Sequence, residues 1–170
     1  YVSMNSKSPV IRNFFIDDSR DGRFLNSNQP QYDGKWNQTM YAGNQYSLIV
    51  EANDDNGWRD VSYFHVDLAD DRDDMNVYYY PRNGTAWTDS PWITILEESD
   101  ISDGPRMLRM DGGALIDPFE ADFMLDLPIR IDWGVLGATT ALNNPVLYMQ
   151  DLDNPRYRML PAPGRHIQNW

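Results

Sequence analysis

Phe123-Met-Leu-Asp-Leu-Pro-Ile-Arg-Ile-Asp-Trp133 alternates without a break. Phe123, Leu125, Leu127, Ile129, Ile131 and Trp133 share one parity; Met124, Asp126, Pro128, Arg130 and Asp132 share the other. Successive side chains of a strand point to opposite faces, so the run predicts a half-buried β-strand. Its apolar ridge lies against a core, and its second row, Pro128 included, faces water. No stretch of the chain shows an equally clean helical period, and the expected fold class is all-β.

Working outward, the same alternation recurs. Ser8 to Ile16 reads as a first strand, with Val10, Phe14 and Ile16 on one side and Ile11 and Phe15 on the other. Residues 17–43 are rich in Asn, Asp, Gly, Gln and Ser, which favours a long irregular connection. Tyr46 to Ala52 alternates again, and Asp54-Asp55-Asn56-Gly57 turns the chain into Val61 to Leu68, as a hairpin or a crossing between sheets. Asn76 to Tyr80, Trp92 to Glu97, Pro145 to Gln150 and Arg156 to Leu160 complete the series, while Asp111-Gly112-Gly113 marks a turn between Met107 to Met110 and Ala114 to Ile116. About eight or nine strands in one domain fit a Greek-key sandwich, although strand order is not readable from local pattern.

Composition bounds the function. The 170 residues carry 26 acidic and 14 basic side chains, a formal net charge of -12. Such a surface repels a phosphate backbone and anionic lipid, so nucleic acid is not an expected partner. No run of about 18 apolar residues could insert into a membrane. Cysteine is absent, which removes disulfides and thiolate chemistry and is compatible with a prokaryotic exterior. A chain opening on Tyr1 reads as processed or truncated.

The stretch Tyr41-Ala-Gly-Asn-Gln-Tyr-Ser-Leu-Ile-Val-Glu-Ala-Asn-Asp-Asp-Asn-Gly-Trp-Arg-Asp-Val-Ser-Tyr-Phe-His-Val-Asp-Leu68 resembles the repeat modules of large bacterial and archaeal cell-surface proteins. Leu125 to Trp133 and Val146 to Asn154 are similar to the second half of such modules. The resemblance covers about a third of the chain and implies an immunoglobulin-like β-sandwich, to which the polar connection over 17–43 and the two chain ends add long loops and extended terminal arms. It brings no catalytic residue with it. The expected organisation is an N-terminal arm over 1–7, the sandwich over 8–155 and an extended C-terminal segment over 156–170.

The chemistry-bearing residues do not assemble into a reagent on paper. His65 and His166 are far apart in sequence, and His65 sits in a strand; no Gly-x-Ser-x-Gly elbow or phosphate loop occurs. An enzyme is not expected, and no cofactor is implied. Clustered carboxylates at Asp54 and Asp55, and at Asp151 and Asp153, read as solvated turns or as hard-oxygen ligands for a structural calcium. Asn37-Gln38-Thr39 and Asn83-Gly84-Thr85 are glycosylation sequons in expected loops, conditional on export. Trp36, Trp87 and Trp92 are candidates to stack on glycans, with core packing as the plain alternative.

The ends suggest self-association. An extended arm can add a strand to an exposed sheet edge, and a head-to-tail contact that does not close builds a filament. Val2, Met4, Val10, Phe14 and Ile16 make the N-terminal segment the expected strand donor, and Trp170 an anchor at the other end. The expected function is therefore an extracellular or cell-surface structural protein, with copies of itself or neighbouring modules of the same protein as partners. The alternative is a carbohydrate-binding or calcium-dependent adhesive module of a larger surface protein.

Overall fold

The computed structural model describes residues 9–18, 38–68, 75–97, 104–132, 146–151, 158–161 and 165–168; at 15, 17, 18, 38–41, 146, 151, 158–161 and 165–168 it describes the backbone alone. These residues form twelve strands and one 3-10 turn, at Trp58–Asp60. In chain order the strands are β1 Val10–Asp18, β2 Gln38–Tyr41, β3 Gln45–Asn53, β4 Val61–Asp67, β5 Asn76–Tyr80 and β6 Thr85–Thr88, then β7 Ile93–Ile95, β8 Arg106–Leu108, β9 Asp122–Ile131, β10 Val146–Asp151, β11 Arg158–Pro161 and β12 Arg165–Gln168.

Two antiparallel sheets carry the fold. One runs β1-β3-β9-β7, with β8 also paired to β9, and the other runs β11-β10-β4-β5-β6. Taken along the chain, this is the immunoglobulin-like Greek key: A-B-E-D on one sheet, G-F-C-C′ on the other, and β6 extending the second. Strands β2 and β12 pair in parallel beside it. Residues 158–161, within the segment expected to run on as an extended end, are thus the outer strand of the second sheet, paired to β10. Inner faces supply the core, where Leu48, Val50, Leu125 and Leu127 of one sheet and Val66, Val77 and Leu147 of the other are fully buried.

The alternation of β9 is realised residue by residue, since Phe123, Leu125, Leu127, Ile129 and Ile131 are all 0% exposed. Its second row departs from expectation: Pro128, read as facing water, is buried. A central strand tolerates this proline because its partners change there. On the side away from β3, β8 pairs with 124–126 and β7 with 129–131, so Pro128 stands at the seam between them. Its carbonyl accepts from Leu96 N on that side at 3.0 Å, so the missing N–H falls in the seam and costs the β3 ladder nothing.

In β1 the expected parity breaks at a bulge. The β1–β3 register shifts between Ile11 and Asn13, and an extra residue reverses the phase of everything before it. Ile11 therefore packs with Phe14 and Ile16 against the core, while Val10, expected on their side, is 47% exposed.

The strands share one long axis, so the domain has two poles. The turn after β3 and the start of β4 lie at one, the upper, and Val10 and Asp122 pair with Asn53 there. The ends of β4 and β11 lie at the other, where Val146 pairs with both Asp67 and Pro161. The chain enters β1 at the upper pole and leaves β11 at the lower one.

Candidate functional site

Alternation in each strand of the second sheet turns one residue in two away from the core. The outward set here is aromatic: Tyr63 and His65 on β4, Tyr78 and Tyr80 on β5, Trp87 on β6 and Tyr148 on β10. Register then aligns four of them, because Trp87 is opposite Tyr78, Tyr78 opposite His65 and His65 opposite Tyr148. The result is a row of rings across the sheet. His65 is stacked on Tyr78 at 4.3 Å and 13° and on Tyr148 at 5.1 Å and 19°, and Trp87 leans on Tyr78 at 5.4 Å and 36°.

A second tier fixes the row. Tyr63 packs on Tyr78 and Tyr80 and donates its hydroxyl to Gln150 Oε1 at 2.8 Å. Asn76 spends Nδ2 on Asp89 Oδ2, so its Oδ1 is the acceptor for His65 Nε2 at 2.7 Å and sets that ring's tautomer. His65 is thus held as a member of a stack. Trp87, at 53% exposed, ends the row with one face against Tyr78 and the other toward solvent.

At the upper pole a second feature stands out. The loop before β9 is pinned by Trp58, whose indole N–H donates to Asp117 O at 2.8 Å and whose backbone N donates to Glu120 O at 3.1 Å. Asp117 closes the loop by accepting from Phe119 N. Gly57 makes the close approach possible, since a Cβ there would sit 2.6 Å from Pro118 O. This fixed loop nonetheless presents Ile116 and Phe119 at 85% and 76% exposed. Beside it, the ion pairs Arg12–Asp122 and Arg109–Asp111 line an open cleft.

The residues singled out from sequence are dispersed. Phe14 and Ile16, expected as strand donors, are 2% exposed inside their own domain and satisfied by β3, so they are not available to a neighbour in this fold. Val2, Met4 and Trp170 lie outside the described residues, as do Asn37, Trp36 and Asp153. Asn83 is exposed in the turn from β5 to β6, where a sugar has room. Trp92 is half-buried and packs against the core. Asp54 is 1% exposed and accepts from Asn56 N at 2.8 Å, which makes it the cap of the turn that carries the chain from one sheet to the other. Asp55 is exposed, and Asp151 is opposite Val61 at the same pole. Among the described residues no three His, Asp or Glu side chains gather into a metal-holding group, and no helix is long and apolar enough to cross a membrane.

The ring row was missed by sequence reading, although each member stands on the outward parity of its strand. Only cross-strand register brings them together.

No family model matches the chain, and no curated protein matches it. Among solved structures it is similar to BcpA, the major pilin subunit of Bacillus cereus, at 10% identity and a TM-score of 0.46; the likeness covers 95% of this chain and 40% of that one.

Proposed function

We propose that the chain is a non-enzymatic structural module of the cell exterior that works in series with like units, as copies of itself in a homopolymer or as neighbouring modules of one protein. The carrying observation is the polarity of the sandwich: the chain enters β1 at the upper pole and leaves β11 at the lower. After β11 the chain continues into β12, which pairs with β2 and ends opposite Tyr41, just before β3 begins at the lower pole. Units joined through the two poles therefore line up along the strands. The pinned loop at the upper pole supports this reading, because a rigid turn with Ile116 and Phe119 outward is suited to meet the lower pole of the next unit.

Electron microscopy of native material tests it. The ten residues of β9 rise about 34 Å, so strings with an axial repeat of roughly 40 Å are expected. Replacing Ile116 and Phe119 together by lysine shortens them. Dispersed monomers at every concentration would count against the reading.

A second reading, glycan binding, is favoured by Trp87, an exposed ring at the border of an aromatic face that also carries the amide of Asn76 on the neighbouring strand. A glycan array probed with and without chelator decides it, and binding abolished by Trp87→Ala would establish it. Loss on chelation would bring calcium at the acidic turns into that reading.

A further inference from the structure

We infer that β6 is a lateral docking edge. A second copy pairs its own β6 antiparallel to this one across a two-fold axis, with Trp87 facing the partner's Trp87. This contact lies at right angles to the head-to-tail direction and stands independently of it.

The argument begins with the edges. A strand at the border of a sheet exposes a row of unpaired N–H and C=O groups, and proteins blunt such borders with charge, proline, bulges or brevity. The other borders of the two sheets carry these devices. β1 has a bulge at Arg12, β11 holds Arg158 and Pro161, β7 is three residues long, and β8 is three residues long, holds Arg106 and is bridged to Ala114. β6 reads Thr85-Ala-Trp-Thr88, with no charge and no proline. Among the described residues no strand pairs with its outer side.

The ring row gives the occupant. Tyr148, His65 and Tyr78 lie in register across three strands, and Trp87, 53% exposed, extends the row to the border. An added strand that places a ring opposite Trp87 continues the stack, as cross-strand aromatic pairs do within a sheet. In an antiparallel pair about a two-fold, one residue faces its own counterpart on the same side of the sheet, so β6 itself supplies that ring. The contact is isologous and closes at two copies. Charge points the same way: each copy carries -12, and an uncharged strand is where two of them approach with least repulsion.

Sedimentation equilibrium of the full chain, made in a host that attaches no sugar at Asn83, tests the pairing from about 1 µM to about 1 mM in low salt and in about 0.5 M NaCl. A monomer–dimer equilibrium that tightens with salt is expected. Trp87→Lys and Thr85→Asp, the latter opposite the partner's Asp89 in this register, each weaken it at least about tenfold with unchanged circular dichroism, while Trp87→Phe retains it. The chain has no cysteine, so Thr85→Cys carries a single spin label per copy. Four residues of offset predict a label separation on the order of 15–20 Å in the dimer. Monomer throughout both salts, a dimer indifferent to both Trp87→Lys and Thr85→Asp, or labels farther apart than about 40 Å overturns the inference. Trp87→Lys leaves string formation intact, so failure here and failure of the head-to-tail reading are told apart.

Discussion

Phe64 of β4 and Phe123 of β9 meet edge to face across the sandwich, with ring centroids 6.5 Å apart and planes at 77°. They join the two sheets near the upper pole, and both are essentially unexposed. Phe64→Ala and Phe123→Ala are each expected to lower stability by about 3–5 kcal/mol in denaturant titration. A double-mutant cycle through leucine should isolate about 0.5–1.5 kcal/mol for the ring pair itself. Strict additivity would show that the geometry adds nothing beyond burial.

Two glycines separate a conformational cost from a steric one. Gly57 has φ 96 and Gly84 has φ 65, but a Cβ at Gly57 would strike Pro118 O and lie 2.7 Å from Phe119 Cα, whereas at Gly84 it meets nothing within 4 Å. Gly84→Ala should cost about 1 kcal/mol, the left-handed penalty alone. Gly57→Ala should cost at least about 2–3 kcal/mol, and hydrogen exchange at Trp58 and Glu120 should accelerate as the loop lifts.

Asp54 and Asp55 are adjacent yet play different parts. Asp54→Ala removes the acceptor of a turn amide and is expected to cost about 1–2 kcal/mol by chemical denaturation. Asp55→Ala stays within about 0.5 kcal/mol. The cap account requires the same difference in calcium and in chelator; a melting temperature of the unaltered protein that falls on chelation would transfer the role to a bound cation.

Burial raises the Tyr79 phenol above its ordinary 10.0. The folded state then holds that proton more tightly than the unfolded chain, so the associated stability is intact below the ordinary value and is lost as pH climbs through it toward the raised one. Thermal melts should show stability declining above about pH 10, and Tyr79→Phe should flatten part of that decline.

The strands that sequence exposes best are those with one wet face. β5 coincides with the expected Asn76 to Tyr80, and β9 begins one residue before and ends two before the run that announced it. Local pattern failed where a long-range partner decides the outcome. A proline at 128 is tolerated inside a central strand because β8 gives way to β7 beside it, and Val10 points outward because one extra residue reverses the phase of β1. Strand β6 offered only Thr-Ala-Trp-Thr, too short to alternate visibly. The ring row needed three registers at once, and at Asp54 a buried turn cap and a cation ligand call for the same side chain, so sequence alone does not separate the two readings.

The direction in which β1 leaves the sandwich has a mechanical meaning. Its pairs with β3 extend from Val10 opposite Asn53 to Asp18 opposite Tyr46, and the hydrogen bonds of an antiparallel ladder run perpendicular to the strands. Tension applied through the upper end therefore shears that whole ladder at once instead of peeling it rung by rung, so a unit drawn out through that end resists with all its rungs together.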